Sequence, residues 1–172
     1  MTRTSTPGDL VVDAGAHTGY FTLLASRLVG PSGHVVAIEP SPAFHQALTA
    51  NITANGCRNV RTINAAVSDT AGRLTFYLER ATNLGGTTTA VRPRTVESSF
   101  EADAAPLPTL LTDEELTTAC LIKIDVEGSE SAAVRGLAPA LNRLRADAEL
   151  VVEVTPRTLV KQGLNVEDVL GP

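Results

Sequence analysis

The sequence predicts an α/β fold, a Rossmann-like three-layer sandwich around a mostly parallel sheet. Apolar runs of strand length alternate with helical patterns, which is the order that builds such sheets. The first run, Asp9 to Asp13, leads into a turn containing Gly15 and Gly19 before a helix begins. A second run ends in Glu39, twenty residues after Gly19, where nucleotide-binding units place an acid against ribose hydroxyls.

Length and charge exclude several classes of protein. The 172 residues suit a single domain, and two cysteines without metal-ligand spacing predict no zinc site. The net charge of −5 provides no basic surface for nucleic acid. No apolar run approaches the roughly 20 residues of a membrane span, and the N-terminus lacks an apolar signal core. We therefore expect a cytoplasmic domain that binds neither nucleic acid nor a membrane.

The first half of the chain predicts strand, helix, strand, helix and strand. A helix from about Gly19 to Val29 carries Phe21, Leu24 and Leu28 at helical spacing. Ser41 is a candidate N-cap for the second helix. The other predicted elements are a strand at His34 to Ile38, a buried helix face of Phe44, Leu48 and Ile52, and a third strand at Val60 to Val67.

The middle of the chain departs from this alternation. Arg73 to Glu79 predicts an added strand that pairs antiparallel with a neighbour. Thr82 to Thr89 and Glu97 to Pro108 are too poor in apolar residues to hold core, so they are predicted as loops, either substrate-contacting or merely connecting. Alternation then resumes with a helix capped by Thr112, a fourth parallel strand at Leu121 to Asp125, a helix ending near Gly136, a fifth strand at Glu149 to Val154 and a helical tail at about Arg157 to Leu170.

Acidic residues follow most of the predicted parallel strands. Ligands of open parallel sheets bind beyond the carboxyl ends of the strands, so these acids should share one rim. Such a rim repels a diphosphate and attracts a cation, for example the sulfonium group of S-adenosylmethionine. Lys123 is expected to pair with a rim acid or to extend its ammonium to water. The rim acids are Asp13, Glu39, Asp69, Asp125, Glu127 and Glu153.

Five stretches of the chain resemble the FkbM family of class I S-adenosylmethionine-dependent methyltransferases. The most specific is LIKIDVEGSE, and the others are VVDAGAHTGYFTLLAS, VVAIEPSP, INAAVSD and VVEVTP. They fall within residues 9–156, the core that matches the family. The resemblance implies O-methylation of a hydroxyl on a sugar or other small natural product, with S-adenosylmethionine as cofactor and a small hydroxylated molecule as acceptor.

The resemblance also assigns a cofactor site. It places Asp13 near the ammonium group, Glu39 on the ribose hydroxyls, Ala65 to Ser68 beside adenine and Asp69 at the adenine amine or as a turn cap. His17 stands where relatives more often carry asparagine. The expected cofactor-binding residues are Asp13, Gly15, Ala16, His17, Gly19, Glu39, Pro40, Ala66, Asp69 and Asp125.

Transfer of a methyl group to a hydroxyl needs a base that takes the proton, or a cation that stabilises the alkoxide. By the resemblance, Asp125 and Glu127 face the methyl group and the acceptor, and they are the expected catalytic residues. No metal site is predicted, because three acids do not define a coordination shell. Asp125, Glu127 and Glu153 would be the candidate ligands if a metal were required.

The predicted sheet lacks part of the family pattern. A class I methyltransferase sheet has seven strands, the last two forming a hairpin that covers the fifth. We therefore expect residues 1–172 to be a C-terminally truncated domain without that hairpin. A longer protein's missing segment, or a second copy in a homo-oligomer, would then cover the fifth strand.

Two other functions stay open. A nicotinamide-dependent oxidoreductase would share the fold, although the sequence contains no Tyr-x-x-x-Lys pair and no GxGxxG turn. A non-catalytic cofactor-binding or interaction module would also account for the missing hairpin.

Overall fold

The computed structural model describes residues 6–79, 87–88, 96–126, 128–154, 163 and 165–170. Within these residues strands and helices alternate as the sequence predicts, except between residues 60 and 105, where strands follow one another. The strands, labelled in chain order, are β1 (Leu10–Ala14), β2 (His34–Ile38), β3 (Val60–Ile63), β4 (Ala66–Val67), β5 (Gly72–Glu79), β6 (Thr87–Thr88), β7 (Val96–Ala105), β8 (Ala119–Ile124) and β9 (Glu149–Val152). The helices are α1 (Tyr20–Val29), α2 (Pro42–Ala54), α3 (Leu107–Leu110), α4 (Asp113–Thr118), α5 (Glu130–Leu137), a 3₁₀ helix (Ala138–Arg143) and α6 (Val166–Leu170).

A five-stranded parallel sheet forms the middle layer, in the order β3-β2-β1-β8-β9. Alternate residues of β1 enter different cores, as they must in a pleated strand. Val11 packs with Ala25 and Val29 of α1, whereas Val12 joins a core that includes Leu116 of α4 and Leu137 of α5. Helices therefore cover both faces, which confirms the predicted three-layer sandwich.

A second sheet, in the order β4-β7-β5-β6, corrects two predictions. The predicted strand from Val60 to Val67 is broken, because β3 belongs to the parallel sheet and β4 pairs with β7 in the second sheet. The predicted loop from Glu97 to Pro108 is wrong: β7 pairs antiparallel with β5, and α3 begins at Leu107, which is fully buried. The antiparallel pairing predicted for Arg73 to Glu79 is confirmed. Of the predicted loop from Thr82 to Thr89, only β6 lies within the described residues.

Helix α1 buries a partly polar face and leaves two of its leucines partly exposed. Leu24 is 46% exposed and Leu28 is 44% exposed. The buried face contains Thr22 and Ser26, whose hydroxyls donate to Asp13 (2.6 Å) and to Asn59 (2.6 Å). These hydrogen bonds satisfy the buried polar side chains. The two leucines lie on the exposed side of the helix.

Both predicted helix caps are present. The hydroxyl of Ser41 accepts from the N–H of Phe44, and Thr112 and Glu115 form a reciprocal capping box. Among the described residues, strand β9 forms one edge of the parallel sheet, and its Val151 is 47% exposed. The idea that another segment or a second copy covers this edge stays a prediction. Every helix among the described residues is too short or too polar to span a lipid bilayer.

Candidate functional site

A cavity of about 290 Å³ lies at the carboxyl ends of β1, β2 and β8, with β4 and β5 on one side. This is the edge at which open parallel sheets bind ligands. It combines an apolar wall with a few polar groups, which is the usual composition of a small-molecule site. The cavity is lined by Gly15, His17, Ile38, Glu39, Pro40, Phe44, Ala65, Ala66, Val67, Phe76, Asp125, Val126 and Ser129.

The glycine turn is held between the ends of β2 and β8. The N–H groups of Gly15 and Ala16 donate to the carbonyl of Ile38 at 2.9 Å and 3.0 Å. Gly15 has φ +85, and a Cβ there would overlap the backbone carbonyl of Asp125. Gly19 has φ +96, and a Cβ there would lie 2.7 Å from Leu48 Cδ1. Both positions therefore need glycine, for backbone conformation and for close packing.

Glu39 follows β2, lines the cavity and is only 5% exposed. Its two oxygens accept from different backbone N–H groups, Oε1 from Ser41 at 2.9 Å and Oε2 from His17 at 2.8 Å. Burial raises the pKa of Glu39, while these two hydrogen bonds act to lower it. Each carboxylate oxygen can accept more than one hydrogen bond, so both can also bind ligand hydroxyls.

Lys123 lies between two carboxylates beside the glycine turn. Its Nζ is 3.5 Å from Asp13 Oδ1 and 3.1 Å from Asp125 Oδ2. Asp13 is fully buried and also accepts from Thr22, whereas Asp125 is partly exposed and lines the cavity. Burial raises the pKa of Asp13, and the charge of Lys123 opposes that shift. The predicted pairing of Lys123 with a rim acid is confirmed, and the rim is less negative than its carboxylates alone suggest.

Asp69 is bound to α5 and is not part of the cavity lining. Its Oδ2 accepts from Arg135 Nη2 at 2.9 Å and from Arg135 Nε at 3.2 Å. These bonds lower the pKa of Asp69. Helix α5 also approaches the segment after β4 closely at a second point, because a Cβ on Gly136 would overlap the carbonyl of Ser68. In this structure Asp69 therefore ties the start of the second sheet to α5, and its predicted contact with adenine stays a prediction.

Gly19 and three further predicted site residues are not part of the cavity lining as described. Ala16 is buried against α2, outside the lining. Glu153 is exposed just beyond β9, and its N–H donates to Ile124. Glu127 lies outside the described residues, so its catalytic role stays a prediction. Within the described ranges, no three His, Cys, Asp or Glu side chains are grouped so that they could hold a metal.

Two aromatic residues of the cavity were not predicted as site residues. Phe44 was predicted as core, but it lines the cavity with its ring centroid 4.0 Å from that of His17. Phe76 comes from β5, stacks on Phe100 with centroids 5.1 Å apart, and shares a small core with Ala66. The apolar alternation of β5 in the sequence indicates a strand face. Only the long-range pairing of β4, β5 and β7 places that face at the cavity.

Comparison with known proteins agrees with this geometry. The family described as "Methyltransferase FkbM domain" matches residues 13–170. The chain is 33% identical over 162 residues to the 31-O-demethyl-FK506 methyltransferase FkbM of Streptomyces tacrolimicus, a match covering 78% of this chain and 61% of that relative. The chain thus spans about three fifths of the length of this curated relative.

Solved structures show the same fold. Methyltransferase FkbM from Methylobacillus flagellatus KT is similar with a TM-score of 0.59 at 18% identity, covering 88% of this chain and 34% of that one. Aeropyrum pernix fibrillarin, crystallised with natively bound S-adenosyl-L-methionine, is similar with a TM-score of 0.54 at 15% identity, covering 88% of this chain and 48% of that one. Since the family match extends over most of the chain, this chain belongs to the FkbM methyltransferase family.

Proposed function

We propose that this chain is an S-adenosylmethionine-dependent O-methyltransferase whose acceptor is a hydroxyl of a sugar or other small natural product. The observation that carries the proposal is the position of Glu39, a buried carboxylate that lines the cavity beside the glycine turn. The family supports the cofactor. The relative named for 31-O-demethyl-FK506 supports methylation at oxygen. We place the reaction in the cytoplasm.

The cavity residues fit this cofactor. Glu39 would accept hydrogen bonds from the ribose hydroxyls, and the missing side chain of Gly15 lets the turn pack against the Asp125 carbonyl at the edge of the cavity. Ala66 and Phe76 supply an apolar wall for adenine. Asp13 and Asp125 supply negative charge for the methionine end. When bound, the cofactor supplies a methyl group on a positively charged sulfur.

Asp125 is the proposed base. Of the two carboxylates that contact Lys123, it is the partly exposed one, and it lines the cavity. The ion pair with Lys123 at 3.1 Å holds its carboxylate in one orientation, and such positioning supplies much of the rate of a group transfer. Asp125 would accept the hydroxyl proton as the acceptor oxygen bonds to the methyl carbon and the bond from carbon to sulfur breaks. Glu127 is the second candidate, on the sequence pattern alone.

Charge alone discriminates less against a dinucleotide than the sequence suggests. Lys123 neutralises part of the Asp13 and Asp125 pair, and Arg135 neutralises Asp69. The glycine turn discriminates more strongly against a dinucleotide. It has His17 where the dinucleotide fingerprint has its middle glycine, so the backbone there cannot approach a pyrophosphate as closely.

Calorimetric titration with S-adenosylhomocysteine and with NAD tests the cofactor. Wild type should bind the first and not the second. Glu39→Ala should weaken S-adenosylhomocysteine binding by about tenfold or more, because it removes a charged acceptor. Glu114→Ala is the matched control, since Glu114 is an exposed acid of α4. Affinity for NAD without affinity for S-adenosylhomocysteine would reverse the assignment to a nicotinamide-dependent oxidoreductase.

A second assay separates the enzyme from a non-catalytic module. Wild type and Asp125→Asn would be incubated with S-adenosylmethionine and a panel of hydroxylated sugars and natural products, with methylation detected by mass spectrometry. The enzyme should methylate some acceptor, and Asp125→Asn should lose turnover by a much larger factor than it loses affinity for S-adenosylhomocysteine. Binding without turnover on any acceptor would favour the module.

A further inference from the structure

His17 is an exposed residue of the glycine turn, and several structural constraints meet at it. Among the described residues it is the one non-glycine position with a positive φ, at +50. Left-handed backbone is unfavourable for most residues and often marks a ligand site. The N–H of His17 donates to Glu39 Oε2 at 2.8 Å. The strained turn therefore orients the carboxylate that the proposed function assigns to ribose.

The imidazole ring of His17 contributes to the cavity wall. Its centroid lies 4.0 Å from that of Phe44, at an interplanar angle of 43°, and both residues line the cavity. Asp125, the proposed base, lines the same cavity and interacts electrostatically with the ring. A change in the charge of His17 would therefore act on a ligand bound between these groups.

We propose that His17 is a specificity-determining residue whose protonation state sets the preference of the site between S-adenosylmethionine, which carries a sulfonium, and S-adenosylhomocysteine, whose sulfur is uncharged. The inference rests on the proposed function, because it concerns the cofactor of that same site. Neutral imidazole accepts either molecule. An imidazolium in the cavity wall repels the sulfonium and leaves the thioether unaffected.

The surroundings of His17 favour the neutral ring near neutral pH. Packing lowers the pKa of His17 below its usual value, and the charge of Asp125 acts in the opposite direction. The other facing groups are Glu39, which accepts from the His17 backbone, and the uncharged ring of Phe44 on α2. Because the pKa is lowered, the imidazolium forms at a lower pH than that of an ordinary histidine.

Calorimetry on the intact chain tests this. The dissociation constants of both ligands would be measured at about pH 8 and about pH 5.5 for wild type and His17→Asn. Asparagine tolerates the left-handed backbone and keeps the N–H to Glu39. In wild type, the ratio of the S-adenosylmethionine constant to the S-adenosylhomocysteine constant should rise about three- to tenfold at the lower pH. In His17→Asn the ratio should rise clearly less.

The comparison of the two proteins isolates the imidazole. Titration of Glu39, Asp13 or the ligands' own groups affects both proteins alike. An equal rise in both, or no rise in wild type, would overturn the inference while leaving the cofactor assignment intact. No binding of S-adenosylhomocysteine to wild type at either pH would instead refute the proposed function. If His17→Asn does not fold, His17→Gly provides the same comparison, since glycine also adopts positive φ.

Discussion

The ammonium of Lys123 lies 3.5 Å from the buried carboxylate of Asp13, although the two residues are 110 positions apart in the chain. The contact joins β8 to β1, and the same ammonium also reaches Asp125 and lies over the ring of Phe21. A fully buried carboxylate is tolerated only with such partners. Lys123 therefore stabilises the fold as well as the geometry of the site.

We expect Lys123→Met to lower the free energy of unfolding by about 3 kcal/mol at neutral pH, because it leaves Asp13 buried without its cation. The pKa of Asp13 is already raised by burial, and loss of Lys123 raises it further. A buried acid with a raised pKa costs more stability as pH increases from its unfolded value, near 3.8, through its folded value. The loss should therefore be larger at about pH 7 than at about pH 4 in urea titrations.

Two further variants identify the cause. Arg143→Met breaks an exposed ion pair with Asp113 and should cost less than about 1 kcal/mol. Adding Asp13→Asn to Lys123→Met should recover part of the lost stability, since no unpaired buried charge then remains. A double variant no more stable than Lys123→Met would contradict this electrostatic account.

The glycine turn gives a second prediction. Gly15→Ala should lower stability by about 2 kcal/mol or more and abolish binding of S-adenosylhomocysteine, because the new Cβ meets the Asp125 carbonyl in addition to the strain of φ +85. Gly56→Ala separates the two effects. Gly56 has φ +66 with no atom within 4 Å of the added Cβ, so it should cost only about 1 kcal/mol and leave binding unchanged. Equal effects of the two changes in denaturation and calorimetry would show that the steric contact is unimportant.

The elements that the sequence predicts correctly carry their own local signals. Strand β2 is apolar after His34 and β8 is apolar except for Lys123, and the helices after Ser41 and Thr112 begin with caps that form within one turn. Strand β7 carries no such signal. Its serine, glutamate, aspartate and alanine residues have low strand propensity, and pairing with distant β5 overrides that propensity.

The site shows the same division between local and distant information. The glycine turn and Glu39 are recognisable because their spacing along the chain is fixed by one strand, helix and strand unit. The partners of the acids are recognisable only in part. The sequence predicts that Lys123 pairs with a rim acid, but the contacts of Lys123 with Asp13 and of Arg135 with Asp69 arise only through the tertiary fold. The sequence therefore locates the carboxylates but overestimates the negative charge that a ligand meets.

Asp69 provides a third prediction, since its ion pair with Arg135 is partly exposed. Asp69→Asn should reduce stability by less than about 1 kcal/mol at neutral pH. Because Arg135 lowers the pKa of Asp69, this contribution is present above its ordinary value of 3.8 and is lost as pH falls through the folded pKa. The affinity for S-adenosylhomocysteine should stay within about threefold of wild type, since Asp69 lies outside the cavity lining. A tenfold loss of this affinity would instead support the predicted contact between Asp69 and adenine.

The outward leucines of α1 give the last prediction. Leu24→Gln with Leu28→Gln should change stability by less than about 0.5 kcal/mol per residue, because both side chains are nearly half exposed and glutamine is a good helix former. Val29→Ala, on the buried face of the same helix, is the matched comparison and should cost about 2 kcal/mol. Urea denaturation of the three proteins at several concentrations measures both effects. The leucine changes could instead lower stability as much as Val29→Ala does, by an amount that grows with protein concentration. That result would mean that a second copy covers this helix in solution, because only association makes stability depend on concentration.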